Sequence, residues 1–326
     1  MPTGALDDEP ALTARLAQAA HGLADASDGP SAMRALGFIG DLPALAPVPP
    51  VAPLALGGAP VELWAWRAGV KPVAFLTVDL EREAAVRRAV PEAVVLRRER
   101  RVEVGRQDHW RDDPSRGRPQ VELYLAHERA LAERCAALQA ADPTRHAVEL
   151  GQLLGYPRCC VDAFLGQRDR SNNSLNRYLA AARTRSGDGP WPWQLNDLAG
   201  RLVPFYPCHY RCGAAVAWVD AAVAALARVE PAAAADLARA LTAAVVYVDH
   251  DHQVWLRGAA VEGAGVCYRA VEGAGAGAAA AALAAVFAAG DHGEVAPARV
   301  AIRRGGAPVA TLSRVEPRLG FLARFG

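Results

Sequence analysis

Apolar positions change their spacing from one stretch of the chain to the next, and the changes divide it. Leu12, Leu16 and Ala20 are spaced as one helical face, so residues 1–41 are predicted to hold one or two small helices. A proline-rich passage at 42–60 breaks that period and reads as a linker or a wrapped extended segment. Residues 61–66 and 72–78 bracket Gly69 as two apolar runs, the pattern of a hairpin. Residues 81–90 fit a short helix, and 93–104 fit a strand bearing an arginine run. The polar stretch 107–118 reads as a loop.

From residue 121 to 165 the period turns helical. Leu123, Leu125, Leu131, Cys135 and Leu138 mark one long helix, and 147–154 mark another that Gly155 should stop. Pro157 suits the start of a helix carrying Cys159, Cys160, Phe164 and Leu165. Residues 171–179 are asparagine-rich and 186–192 turn-rich. Pro207 is predicted to begin a second cysteine-bearing helix, continued by Val216, Val219, Val223 and Leu226. Beyond it, 243–248 and 254–257 form a hairpin across Asp249-His250-Asp251-His252. Residues 265–271 read as a strand, 278–289 as a helix, and 300–304 pair with 309–313 across Gly305-Gly306. The fold class expected is α+β, with a central helical cysteine-bearing region between mixed parts built on antiparallel hairpins. The regions are 1–60, 61–120, 121–230 and 231–326.

Composition adds limits. The chain has 326 residues, 52% hydrophobic and 22% charged, in the range of globular proteins. Its net charge of +1 supplies no field to recruit nucleic acid or a membrane. The alanine- and glycine-rich stretch 273–290 is too short and too weakly apolar to span a bilayer. Lys71 is the only lysine. Residues 1–10 are acidic, with no positive n-region and no apolar core, so no secretory leader is expected. Six cysteines then read as reduced thiols of a cytoplasmic protein, not as a disulfide framework.

Four of those cysteines carry the chemistry. Gly155-Tyr156-Pro157-Arg158-Cys159-Cys160 and Phe205-Tyr206-Pro207-Cys208-His209-Tyr210-Arg211-Cys212 each lead from a Tyr-Pro step into a pair of cysteines. Helix N-termini favour thiolates, the form that binds metals. Cys208 and Cys212, four apart, would share a helix face. Cys159 and Cys160 lie about 100° apart on a helix, which favours a wide centre. That geometry puts an iron–sulfur cluster (4Fe–4S) ahead of zinc, whose sites use paired C-x(2–4)-C knuckles. Redox thiols, including a vicinal disulfide, are a further reading. The four sulfurs are expected to converge, with neighbours roughly 4–7 Å apart.

The remaining chemistry-bearing residues have plainer readings. Cys135 and Cys267 lie on apolar faces, where core packing is expected. His209 should point away from Cys208 and lie at the surface or behind the ligands. Asp249 to His252 reads as a solvated turn. Arg97, Arg98, Arg100 and Arg101 interleave with Glu99 and Glu103 as a charged strand edge. Between the two cysteine pairs, Arg168, Asn172, Asn173, Asn176, Arg177, Trp191, Trp193, Gln194 and Asn196 are candidates for a pocket wall. Asn173, Asn176 and Arg177 are the catalytic candidates for orienting a small anionic substrate, against a reading in which the asparagines are helix caps.

The stretch Leu154-Gly155-Tyr156-Pro157-Arg158-Cys159-Cys160-Val161-Asp162-Ala163-Phe164, with Tyr206-Pro207-Cys208 and Cys212, resembles an uncharacterised prokaryotic family, domain of unknown function 483. The likeness covers about residues 145–220. It implies that the cysteines form one site, and it implies no activity. The function expected is a metal-binding protein, an iron–sulfur protein with a redox or sulfur-transfer role on a small molecule. Its partners would be that substrate or a redox protein. The alternatives are a structural zinc module for partner interaction and a thiol oxidoreductase using the adjacent cysteines.

Overall fold

The structure, a computed structural model of the chain, describes residues 38–39, 60–104, 110–112, 117–141, 145–166, 173–185, 189–196, 202–247, 253–263, 265–274, 278–296, 299–314 and 321–326. The helices expected in 1–41, most of the proline-rich passage and the Asp249–His252 turn lie outside them. In chain order the elements begin β1 (Phe38–Ile39), α1 (Val61–Arg67), β2 (Val73–Asp79), a 3-10 turn (Leu80–Arg82) and α2 (Glu83–Ala89). There follow β3 (Val94–Val104), β4 (Trp110–Asp112), β5 (Arg118–Ala126), α3 (Arg129–Ala140), α4 (Ala147–Leu153), α5 (Arg158–Leu165) and α6 (Asn173–Thr184). After α7 (Gly213–Val229) and α8 (Pro231–Leu241) come β6 (Ala244–Tyr247), β7 (Gln253–Arg257), β8 (Ala260–Glu262), β9 (Gly265–Cys267) and β10 (Ala270–Ala274). The last elements are α9 (Ala278–Ala288), β11 (His292–Ala296), β12 (Arg299–Arg304), β13 (Ala307–Arg314) and β14 (Phe321–Arg324). The α+β class expected from the sequence is what the chain adopts, with every sheet antiparallel. Among the described residues, no helix is long and apolar enough to cross a membrane.

The chain forms two compact units. One comprises Leu54–Ala180 and Gly200–Arg239; the other comprises Met1–Pro53, Ala181–Ala199 and Ala240–Gly326. The first is built on a four-stranded sheet in the order β2-β5-β3-β4. Its central strand β5 corrects the long helix expected from Val121 onward. Val121, Leu123 and Leu125 bury one face against Leu63 and Trp66, while Tyr124 and Ala126 bury the other against Ala132, Cys135 and Leu138. A strand covered on both faces loses its polar alternation, so the run imitates part of a buried helix. The helix begins only at Arg129.

Residues 61–66 are corrected the other way, from strand to helix. Pro60 caps α1 in extended conformation, and Glu62 sits in the first turn, where the helix dipole favours a carboxylate. Five of the seven residues of α1 are buried, since the helix contacts both β2 and α7. Such a run satisfies a strand period as well as a helical one. In the expected loop 107–118, β4 pairs with β3. That pairing covers β3 only at residues 102–104, so among the described residues Arg97 to Arg101 pair with β5 alone, as a charged strand edge; Arg98 and Arg100 pair with Glu122, which is 1% exposed and also accepts the Tyr124 O–H.

The second unit holds two sheets, ordered β1-β13-β12-β11-β9-β8 and β10-β7-β6-β14. They share a core in which Val246, Val254 and Leu256 meet Leu283, Phe287 and Ile302. The expected hairpins β6–β7 and β12–β13 form. The single strand expected at 265–271 is two strands in different sheets, β9 and β10. Cys267 is exposed on β9, not buried: it lies directly opposite His292 on β11, with Sγ 3.2 Å from Nδ1.

Candidate metal centre

The first cysteine motif is positioned from behind. Helix α4 ends at Leu153, and Gly155 takes φ +68°, a left-handed conformation. A Cβ there would stand 2.0 Å from the Val70 carbonyl oxygen, so the chain passes where no side chain fits. The Tyr156 N–H reaches back to the Gly151 carbonyl at 2.8 Å, and Pro157 caps α5. Cys159 and Cys160 thus fall in the first turn, as expected.

The second motif departs from expectation. Pro207 does not begin a helix: Cys208 lies at a bend, and residues 209–212 form a turn closed by the Cys212 N–H on the His209 carbonyl, 3.1 Å. Cys212 keeps an extended conformation and is the N-cap of α7. Cys208 and Cys212 are therefore not two residues of one helical face. The Arg211 N–H donates to His209 Nδ1 at 3.2 Å, which holds the exposed imidazole within its own turn.

Aromatic pairs bring the motifs together. The Tyr156 ring lies 5.1 Å from Phe205, and Phe164 stacks on Tyr206 at 5.8 Å. Phe205 in turn meets Trp218 of α7 edge-on, 5.5 Å between centroids. Lys71 Nζ sits over the Tyr156 ring at 5.2 Å and the Trp218 ring at 6.0 Å. That amine is 2% exposed and, among the described residues, has no hydrogen-bond partner. Burial drives its pKa down to about 8, against the pull of Glu62 and Cys135.

The four thiols converge. Their sulfurs all lie within 4.8 Å of one another. Cys159 Sγ is 4.0 Å from Cys160 and 3.6 Å from Cys212, and Cys160 is 3.8 Å from Cys212. The adjacent pair reaches one compact centre after all. Neighbouring Cα atoms are only about 3.8 Å apart, so two rotamers can bring their sulfurs together despite the 100° step. Cys159 is exposed, Cys208 half-buried, and Cys160 and Cys212 buried.

Electrostatics sort the thiols by position. Burial pushes Cys160 far up, although the Cys208 backbone N–H opposes it. Burial also pushes Cys208 up to about 12. At Cys212 burial again raises the pKa, but the Ala215 N–H in the first turn of α7 and the other three thiols outweigh it. That thiol stands below its usual value. Four such groups can hold a metal ion, and thiolates are what they would present to it.

Cys135, expected in the core, is buried on α3 and is not one of the four; burial pushes its thiol up to about 11. Asn173 is the first residue of α6, and Arg177 is half-buried on the same helix. Asn176 is fully buried, with neither amide atom paired among the described residues. Trp193 belongs to the second unit. A cavity of about 1210 Å³ does border Cys160, but its walls include Tyr156, Phe164, Phe205 and Tyr206 and none of Asn176, Arg177 or Trp193. These aromatics and Lys71 were missed as site residues. The available signals were the aromatic residues repeated around both motifs and the chain's single lysine. No protein-family model matches the chain, no curated protein matches it, and no solved structure matches its fold.

Proposed function

We propose that this protein is a binding module organised by one tetrahedral metal ion, zinc, held by Cys159, Cys160, Cys208 and Cys212. The sulfur spacing carries the reading. Zinc–thiolate bonds of about 2.3 Å in a tetrahedron put sulfurs about 3.8 Å apart. Three of the six sulfur separations, 3.6, 3.8 and 4.0 Å, bracket that value, and all six are within 4.8 Å. A 4Fe–4S cluster interposes its own iron and sulfide, which spreads the four thiolates to roughly 6 Å or more. The spacing thus supports the alternative weighed from the sequence over the cluster expected first.

Four thiolates close the coordination shell, so no position is open to water or substrate, which supports a structural role over a catalytic one. The ion would tie α5 to the start of α7, two segments otherwise joined by aromatic contacts. On this reading the Gly-Tyr-Pro-x-Cys-Cys signature is half of a metal-ligand set, and the family it marks is expected to share the centre.

The test is metal analysis of protein purified without oxygen. The expected result is a colourless sample with about one zinc per chain and no acid-labile sulfide. A brown sample with several irons and matching sulfide would establish the cluster instead, and a metal-free sample with four reactive thiols would remove the metal altogether.

A further inference from the structure

The four converging thiols differ in what can reach them. Cys159 alone of the four is exposed; Cys208 is half-buried, and Cys160 and Cys212 are buried. A closed shell of four thiolates gives the ion no open position, but each sulfur remains a thiolate and so a nucleophile. Chemistry at this centre is therefore chemistry at sulfur. Oxidation of thiols follows thiolate character and exposure together, and exposure selects Cys159.

The geometry also selects a second sulfur. Cys159 Sγ lies 3.6 Å from Cys212 Sγ, closer than to Cys160 at 4.0 Å, although Cys159 and Cys212 are 53 residues apart in the chain. The adjacent pair is a poor candidate for a disulfide. Neighbouring Cα atoms stand about 3.8 Å apart, below the ~4.4–6.8 Å that disulfides span. Their peptide is also held in the first turn of α5, where the Cys160 N–H donates to the Pro157 carbonyl at 2.9 Å. Cys160 and Cys212 lie 3.8 Å apart, but both are buried, so an oxidant has no first sulfur to meet there. Cys212 has extended backbone at the cap of α7, outside the helical turns.

We infer that the centre reacts with hydrogen peroxide: Cys159 is the sulfur attacked, Cys212 resolves it as a disulfide, and the zinc ion is released. The inference rests on the zinc reading of the site. In the first step the Cys159 thiolate forms an S–O bond and the peroxide O–O bond breaks. The departing hydroxide takes a solvent proton to become water, and Cys159 is left as a sulfenic acid. In the second step the Cys212 thiolate attacks the Cys159 sulfur, the S–S bond forms and the S–O bond breaks. That hydroxide also leaves as water with a solvent proton. The two thiolates lose two electrons and the peroxide gains them. Cys160 and Cys208 alone cannot complete a four-coordinate shell, so the ion leaves. The new bond joins α5 to the cap of α7, the same two segments that the ion would tie.

The experiment adds a small molar excess of hydrogen peroxide to the full zinc-loaded chain carrying Cys267→Ala, which removes the exposed thiol of the second unit. A colorimetric chelator follows zinc, and mass spectrometry maps disulfides after free thiols are blocked. The expected result is about one zinc released per disulfide formed, with the bond between Cys159 and Cys212. Dimedone, which traps sulfenic acid, should label Cys159 at least about tenfold over each of the other three cysteines. The oxidised, zinc-free chain should melt roughly 5–15 °C above the reduced, chelated chain, because the disulfide replaces the lost tie. Dimedone on Cys160, Cys208 or Cys212 ahead of Cys159 would overturn the inference. A bond mapped to any other pair would do the same, as would equal melting of the two zinc-free forms. The two readings fail separately. A starting sample that holds no zinc sinks the metal reading, whereas a zinc-loaded sample inert to peroxide sinks this inference alone.

Discussion

The two Tyr-Pro-Cys segments are close to copies in sequence, yet they present their cysteines from different backbones. In the first, Pro157 caps α5 and both thiols lie in its opening turn. In the second, Pro207 leads into a bend at Cys208 followed by a turn, and Cys212 caps α7. The difference lies in what surrounds each proline. Gly155 lets the chain swing tightly off α4 directly into α5, whereas Phe205 and Tyr210 are buried and hold the second segment away from a continuous helix. A shared motif here specifies ligand chemistry and an aromatic contact, not a common local fold.

The largest test of that comparison removes one ligand from each segment. Cys160→Ser and Cys212→Ser should both abolish stoichiometric metal and convert sharp thermal unfolding of the first unit into a broad transition. The reason is that structural zinc binding, roughly 10–16 kcal/mol in small domains, is folding energy. Cys135→Ser should leave metal content unchanged. Sharp unfolding with full metal in either of the first two variants would mean that the segments do not share an ion.

Gly155→Ala should destabilise the first segment by roughly 4 kcal/mol, combining left-handed strain with a backbone clash at Val70. Its contrast is Gly213→Ala, just after Cys212, where a Cβ meets nothing within 4 Å. That change should be neutral or stabilise by up to about 1 kcal/mol, because alanine is the better helix former. Urea midpoints of the two variants decide it, and similar losses at both positions would erase the asymmetry.

Much of the first segment was legible in the chain and much of the second was not, for a physical reason. A glycine that stops a helix and a proline that starts one act within a few residues, so α4, Gly155 and α5 could be read directly. The start of α7 depends on Tyr210 being buried and on a turn held by His209, which no local pattern announces. The same limit explains β5 and α1, whose apolar runs are covered from two sides and so carry no alternation to read. The thiol set was legible because residue type alone names a ligand. Its compactness was not, since rotamers decide whether adjacent cysteines meet.

Lys71 bears on both segments, because its amine lies over Tyr156 of the first and over Trp218, which backs the second. Its pKa falls from 10.5 to about 8 on folding, so between those values the unfolded chain holds the proton that the folded chain releases. Stability from this group therefore rises with pH from 8 to 10.5, and below 8 the full penalty applies. Lys71→Met should stabilise the protein at pH 7 by on the order of 3 kcal/mol, less the lost contact with the two rings. The advantage should shrink to nothing by pH 10.5. The quantity to measure is the difference between variant and parent across that range, because Cys135 titrates there with the opposite sign. A pH-independent difference would show that the lysine is not buried in its charged state.

The smallest effect belongs to His209, the residue that the second segment has and the first lacks. It stands between two of the converging cysteines in sequence, and a histidine so placed is easily taken for a fifth candidate. The structure uses it differently. Its Nδ1 accepts the Arg211 N–H while the ring stays exposed, which steadies the turn that delivers Cys208. His209→Ala should therefore remove one exposed hydrogen bond, a loss of about 1 kcal/mol or less, and leave the ion in place. Cobalt substitution is the sensitive readout. A four-thiolate site keeps its sulfur-to-metal absorption whatever happens at His209, whereas replacement of a sulfur by nitrogen moves both those bands and the ligand-field bands. An altered cobalt spectrum in the variant would put His209 in the coordination shell and displace one of the four cysteines.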